Sequence, residues 1–265
     1  MDIYKNVKLV AFSLFLFNFI KAGEIEYYWS GAVTSESAVI SFATDEKAKI
    51  KIQYSDSKNF KKNKRYTKTI SIDEKSNFFA KDQLKDLKPN QTYYYRFNIN
   101  GTLKKDQVGK FKTHSNKPFS YKVTMATCAI TGSNNPVFDR IREEDSQFYL
   151  MLGDFHYGNV KKDCEDKLLA NFRSVLGSKK QSKLYNNVSI AYMWDDHDYG
   201  PNNSAGIAPN GDGEVACQLE SRHAYKNYVP HYPLAFQEEG KVISQVFNVG
   251  RITYLLTDLR SEKRR

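Results

Sequence analysis

FYLMLGDFHYGN, residues 148 to 159, decides the fold. The apolar run from Phe148 to Leu152 is too short for a helix and stops at Gly153-Asp154, so it reads as a strand that ends on a carboxylate. Upstream lie a strand, YKVTMAT (121–127), and a helix-like PVFDRIREED (136–145). Downstream follow helix-like CEDKLLANFRSVL (164–176), strand VSIAYMW (188–194), helix-like VACQLESRHAYKNYV (215–229) and strand RITYLLTDLR (251–260). In the 164–176 segment Cys164, Leu168, Phe172 and Leu176 recur every four residues and make one apolar helix face. Strands alternating with helices predict an α/β layered domain, whose sites form beyond the carboxyl ends of the strands. Cys128, Asp154, Asp195 and Asp258 all fall there.

Residues 24 to 114 have another texture. Short alternating runs, AVISFA, AKIKIQYS, KTISI, TYYYRFNIN and VGKFKT, with turn-rich polar segments between them and no helix pattern, predict a small all-β sandwich. LKPNQTYYYRFNINGTLKKDQVGKFKT (87–113) resembles the end of a fibronectin type III module, in which a Leu-x-Pro turn leads into a strand whose tyrosine locks the corner. SNKP (115–118) reads as the linker, so the expected division is a fibronectin-like module at 24–114 and the α/β domain at 119–265.

The first 23 residues, basic MDIYKNVK, twelve mostly apolar residues, then Ala22-Gly23, read as a secretory signal peptide cleaved near Ala22 or Gly23, with an uncleaved anchor as the lesser alternative because Ile20 and Lys21 make the cleavage site imperfect. Twelve is too short to span a bilayer comfortably, and no other segment is apolar enough. The expectation is a chain that is secreted or resides in an endomembrane lumen, and the acceptor patterns at Asn90, Asn100, Asn187 and Asn202 agree with a glycoprotein. Three cysteines leave one unpaired. Cys164 and Cys217 lie on helix-like segments expected to pack side by side and to be bridged, which leaves Cys128 free. The formal charge of +10 comes largely from lysine-rich early segments such as KNFKKNKRYTK (58–68), read as solvated; no nucleic-acid-binding module is evident, although an anionic substrate would be attracted.

WDDHDYGPNN (194–203) gathers Asp195, Asp196 and Asp198 around His197 at the end of a strand. Like charges this close repel unless a cation or hydrogen-bond donors answer them. The stretch is therefore either a solvated turn or a metal site. Asp154 has lone pairs enough to bridge two cations, Tyr157 suits a trivalent iron as phenolate, and Cys128 suits a soft or redox-capable metal as thiolate. Together these residues favour metal.

TCAI, LGDFHYGN, WDDHDYGPNN and TDLRS, in that order behind a fibronectin-like module, resemble the PhoD-type alkaline phosphatases of the calcineurin-like metallophosphoesterases. The resemblance implies a four-layer α/β/β/α sandwich that hydrolyses phosphate mono- or diesters, with ferric iron and one or two calcium ions, other divalent metals remaining open. It makes Cys128, Asp154, Tyr157 and Asp196 metal ligands and His197 the catalytic phosphate-contacting histidine. Asp195 is a ligand or a partner of one, and Asn203 a further contact around the Gly-Pro turn. Arg260 is either a phosphate clamp or half of a salt bridge, and His156 either faces the site or sits behind it; His114, His223 and His231 read as structural. The family continues past TDLRS to a Gly-Asp-x-His segment that supplies more ligands, whereas this sequence stops at SEKRR, so an incomplete metal site is expected: a fragment, an early-terminating gene model or a degenerate relative. The alternative to a secreted phosphoesterase is a catalytically inactive, phosphatase-shaped ectodomain acting as a binding protein.

Overall fold

The computed structural model describes residues 23–206, 217–236 and 242–263. The expected signal peptide lies outside them except for Gly23.

The N-terminal module contributes β1 (Ile25–Gly31), β2 (Ala38–Thr44), β3 (Ala48–Ser55), β4 (Arg65–Tyr66), β5 (Ile70–Ile72), β6 (Phe79–Leu84), β7 (Thr92–Ile99), β8 (Thr102–Leu103) and β9 (Gly109–Lys112). Antiparallel β1-β2-β6 faces a second antiparallel sheet built around β3 and β7. Period-two alternation sends Ile50, Ile52, Tyr93, Tyr95, Phe97 and Phe111 into the core between the sheets. Tyr93 Oη accepts the backbone N–H of Lys88 at 2.9 Å, which is the corner contact the sequence predicts.

The second half supplies β10 (Val123–Ala126), α1 (Val137–Glu143), β11 (Phe148–Met151), α2 (Cys164–Leu176), α3 (Gln181–Asn187), β12 (Ile190–Tyr192), α4 (Asp196–Tyr199), α5 (Gln218–Tyr228), β13 (Gln245–Val249) and β14 (Ile252–Leu256). Strands β10, β11 and β12 are parallel and adjacent in chain order. They do not form a separate sheet. β12 pairs in parallel with β1 at Gly31 and Ile190, so one six-stranded sheet, β10-β11-β12-β1-β2-β6, runs through both halves. At Gly31 a Cβ would overlap the carbonyl oxygens of Pro230 and Ile190, so only glycine lets these strands meet.

One face of the shared sheet carries helices. Trp29 of β1 packs on Phe172 of α2 and Tyr185 of α3, Tyr149 of β11 packs on Tyr185, and Phe79 of β6 packs on Tyr228 of α5. The opposite face is covered by the β3-β7 sheet over β1-β2-β6, and by the β13-β14 hairpin over β11, where Phe148 meets Phe247 and Tyr254. The architecture is thus mixed α/β. Among the described residues the α/β half shows a helix layer, a sheet and a two-stranded β layer, and no second helix layer beyond the hairpin.

Cys164, the first residue of α2, is bridged to Cys217, which precedes α5, with Cα atoms 5.8 Å apart, and Cys128 is free and exposed. Among the described residues no helix is long and apolar enough to cross a membrane.

Candidate metal centre

The carboxyl ends of β10, β11 and β12 open into three loops that converge on Asp154. Gly153 makes the convergence possible: its φ is 102°, and a Cβ there would overlap the Cβ of Asp195. Cys128 and Asp154 also hold left-handed backbones, φ 60° and 51°, a conformation that costs a non-glycine residue about 1–2 kcal/mol. The two loops are laced together by Cys128 N–H to Gly153 O at 3.2 Å and Ala129 N–H to Asp154 O at 3.1 Å.

Around the Asp154 carboxylate two groups of donor atoms overlap. On Oδ2, Tyr157 Oη donates at 2.9 Å and Cys128 Sγ at 3.4 Å. On the other side, ligand atoms of Asp154, Asp196 and His197 lie within 4.8 Å of one another, all three residues buried. Asp154 belongs to both groups. Burial, then Cys128 and Asp154, hold the Tyr157 phenol well above its ordinary value.

The acidic cluster of 195–198 separates into distinct roles. Asp195 and Asp198 form a reciprocal capping box on the short α4. Asp198 also accepts Phe155 N–H at 2.8 Å, which ties the β11 loop to the β12 loop. Burial pushes the Asp198 carboxyl up to about 7; the Asp195 N–H opposes the rise and the Asp154 charge adds to it. Asp196 accepts the backbone N–H of Asn203, so Asn203 reaches the cluster through its main chain.

Arg260 takes the salt-bridge alternative. Its Nε donates to Asp195 Oδ1 at 2.5 Å, and Nη2 lies 3.5 Å from Asp196 Oδ1. Asp258, at the end of β14, is filled by protein donors: Trp194 Nε1, Ser261 Oγ, and the N–H groups of Ile243, Arg260 and Ser261. Burial raises its carboxyl, but the Ser261 and Trp194 donors outweigh that and hold it below the ordinary value. Asp258 therefore anchors β14 to Trp194 and does not join the cluster around Asp154.

His197 is buried, its ring 4.2 Å from that of Tyr157 between centroids. Its Nδ1 is 3.0 Å from Asn159 Oδ1, which also accepts Asn202 N–H at 3.0 Å. That second bond identifies the Asn159 oxygen as an acceptor, so Nδ1 carries the proton and Nε2 is left for a ligand. Sequence reasoning missed Asn159; a polar residue five positions after Asp154 was the available signal. His156 sits behind the site, 1% exposed, edge-on to Phe172, and burial, with His197 adding, pushes it down to about 4. His114 and His231 are also held by protein partners, as expected of structural residues.

Residues 29–115 match the family model of the PhoD-like phosphatase N-terminal domain. Among solved structures, that of PhoD aligns with a TM-score of 0.75 at 18% identity, covering 90% of this chain and 52% of that one; at that identity the likeness is one of fold. A sensor domain of the anti-sigma factor RsgI4 of Pseudobacteroides cellulosolvens aligns at TM-score 0.30 and 21% identity, over 36% of this chain and 98% of that one. A fibronectin type III domain of the human KIAA0970 protein gives TM-score 0.28 and 15% identity, over 36% and 77%. No curated protein matches the chain. The chain spans about half the length of PhoD, at 52%. Residues 29–115 thus match the PhoD-like phosphatase N-terminal domain, and 90% of the chain shares its fold with about half of PhoD.

Proposed function

We propose that the chain is an exported, metal-dependent hydrolase of phosphate mono- or diesters. The observation that carries this reading is the Asp154 carboxylate shared by two donor groups, Cys128 with Tyr157 and Asp196 with His197. A thiol, a phenol and a carboxylate are donors that fit ferric iron, and the oxygen-rich second group fits a harder cation such as calcium. Cys128, Asp154 and Tyr157 would hold the first, Asp154 and Asp196 the second, with Asp195 and Asn203 as neighbours that orient Asp196. The four-layer sandwich would complete the layering if a helix layer covered the outer face of β13-β14. The Cys164–Cys217 bridge supports export, since disulfides persist in oxidising compartments.

Bound there, a cation pair would supply a nucleophile at neutral pH and would offset charge on the phosphoryl oxygens. The chain's own residues do the rest. His197, its Nδ1 proton fixed on Asn159, presents the Nε2 lone pair to the site, where it takes a proton from the attacking water and passes that proton to the leaving-group oxygen. Arg260, 18% exposed at its side chain, lies within reach of an anion that displaces it from Asp195.

Arg260 also favours a second reading. A protein cation already answers Asp195 and Asp196, as suits a phosphatase-shaped binding protein without turnover. Iron and calcium content, a visible thiolate or phenolate charge-transfer band, and hydrolysis of a chromogenic phosphate ester separate the two. Asp154→Asn is expected to lose at least one metal and all turnover with the circular dichroism unchanged. Full metal content and turnover in that variant would reduce Asp154 to a turn residue; phosphate binding without turnover in the parent chain selects the second reading.

A further inference from the structure

The outer face of the β3-β7 sheet, away from the candidate centre, carries a row of cations with no carboxylate on the same strand faces. Alternation points Lys49 and Lys51 of β3, Arg96 of β7, and Lys110 and Lys112 of β9 outward. No outward position of these three strands holds a carboxylate. Register places Lys51 beside Asn98, Gln53 beside Arg96, Tyr94 beside Lys110 and Thr92 beside Lys112. The cations therefore form a diagonal that crosses from β3 over β7 to β9. At about 3.4 Å per residue it runs roughly 25–30 Å.

The row is built for contact. Among the described residues Lys49, Lys51 and Lys112 have no acidic partner, and Lys110 has only a 3.8 Å approach to the exposed Asp145. Arg96 is fixed in place, its guanidinium 4.0 Å over the Phe60 ring and its Nε donating to Gln53 Oε1 at 2.7 Å. At one end Lys49 and Lys51 border a shallow depression with Tyr66, which is 54% exposed. At the other, Lys110 and Lys112 line a cleft of about 460 Å³ between the two halves, together with Asp145 and with Lys122, whose ammonium is paired with Glu144 at 3.0 Å.

We propose that this face binds a linear acidic polysaccharide. Outward neighbours on one strand stand about 7 Å apart, too far for one small anion to bridge the row and suited to charges repeated along a polymer. A line rather than a field of charge favours a chain over a membrane surface. Tyr66, Tyr94, Thr92 and Asn98 add flat rings, hydroxyls and an amide, which suit sugar faces and hydroxyl groups. The disulfide fits an oxidising compartment, where acidic glycans are a more general polyanion than nucleic acid. The module would hold the molecule on the polymer and leave the Asp154 centre open. This inference stands whether or not the centre turns over.

The test titrates the full chain with heparin, polygalacturonate, single-stranded DNA and phosphatidylserine vesicles at low and moderate salt. Binding to the glycans that weakens with salt is expected, and Lys49→Gln/Lys51→Gln/Lys112→Gln should weaken it by about tenfold or more with melting temperature unchanged. Lys162→Gln/Lys183→Gln/Lys263→Gln, which lowers net charge equally elsewhere, should leave it intact. Equal loss in both triple variants, or none in the first, overturns the assignment to this row. DNA or vesicles held as tightly as either glycan overturns the polysaccharide.

Discussion

Asn159 Oδ1 lies 3.0 Å from His197 Nδ1 and is itself pinned by the Asn202 N–H, so a loop amide fixes which imidazole nitrogen carries the proton. Removing that acceptor frees the ring to rotate or change tautomer. Asn159→Ala is expected to lower kcat about tenfold, since a positioned acid or base contributes 10²–10⁴-fold and only part of the positioning is lost. KM and melting temperature should hold. Asn159→Asp keeps an acceptor and should recover most of the rate; equal loss in both would remove Asn159 from the positioning role.

Gly153 and Gly101 both have positive φ, 102° and 91°, but differ in surroundings. An added Cβ meets Asp195 at the first and nothing within 4 Å at the second. Gly153→Ala should therefore cost about 3 kcal/mol or more in denaturant unfolding, strain plus steric overlap, and Gly101→Ala about 1 kcal/mol from strain alone. Equal costs would mean the approach of Asp195 to the β11 loop is not tight.

The Cys164–Cys217 bridge closes a loop with a sequence separation of 53. Chain entropy assigns such a loop about 4 kcal/mol. The Cys164→Ser/Cys217→Ser pair should lower the unfolding free energy toward that amount, with the m-value rising as the unfolded chain loosens. A reductant should produce the same fall in the parent and none in the double variant.

His114 supplies an acid-sensitive joint. Its Nδ1 accepts from Gln147 at 3.1 Å, its Nε2 faces Tyr232 Oη at 3.3 Å, and burial pushes its pKa from 6.5 down to about 4, the Val33 carbonyl opposing. The unfolded chain takes up the proton first, so this stabilisation is whole above pH 6.5 and is lost as pH falls through 4. The loss is about 3 kcal/mol at full extent. His114→Gln should flatten the stability profile between those two pH values, measured by urea titration.

The second half was largely legible because its elements carry local signals: the four-residue apolar period of α2 matches its observed span, and the Gly-Asp and Trp-Asp-Asp strand ends mark the loops that meet. β1 was not legible. IEYYWSG lacks alternation because both of its faces are covered, Tyr28 against the sandwich core and Trp29 against the helices. Its pairing with β12 joins distant residues and leaves no local trace. α3, QSKLYNN, escaped for a similar reason: seven polar-rich residues owe their helix to Leu184 and Tyr185 docking in the core, which propensity does not reveal. The loops that carry Asp154 and Asp196 were readable from their strand ends, but the side-chain partners within them were not. The choice of Asp195 and Asp196 by Arg260, and of Asn159 by His197, is set by loop geometry.

The shared sheet bears on how the chain is born. Synthesis releases β1 to β9 well before β12, α2 and α3, so the sandwich is able to close while the β1 edge and the outward rings of Tyr27 and Trp29 still lack their covers. At about 5–20 residues per second, the stretch from Thr113 to Ile190 takes on the order of 4–15 seconds to emerge. For that interval the nascent chain shows an open strand edge beside an aromatic stripe, the combination that recruits stray β-strands. Slowing translation within that stretch should raise aggregation more than slowing it after Ile190.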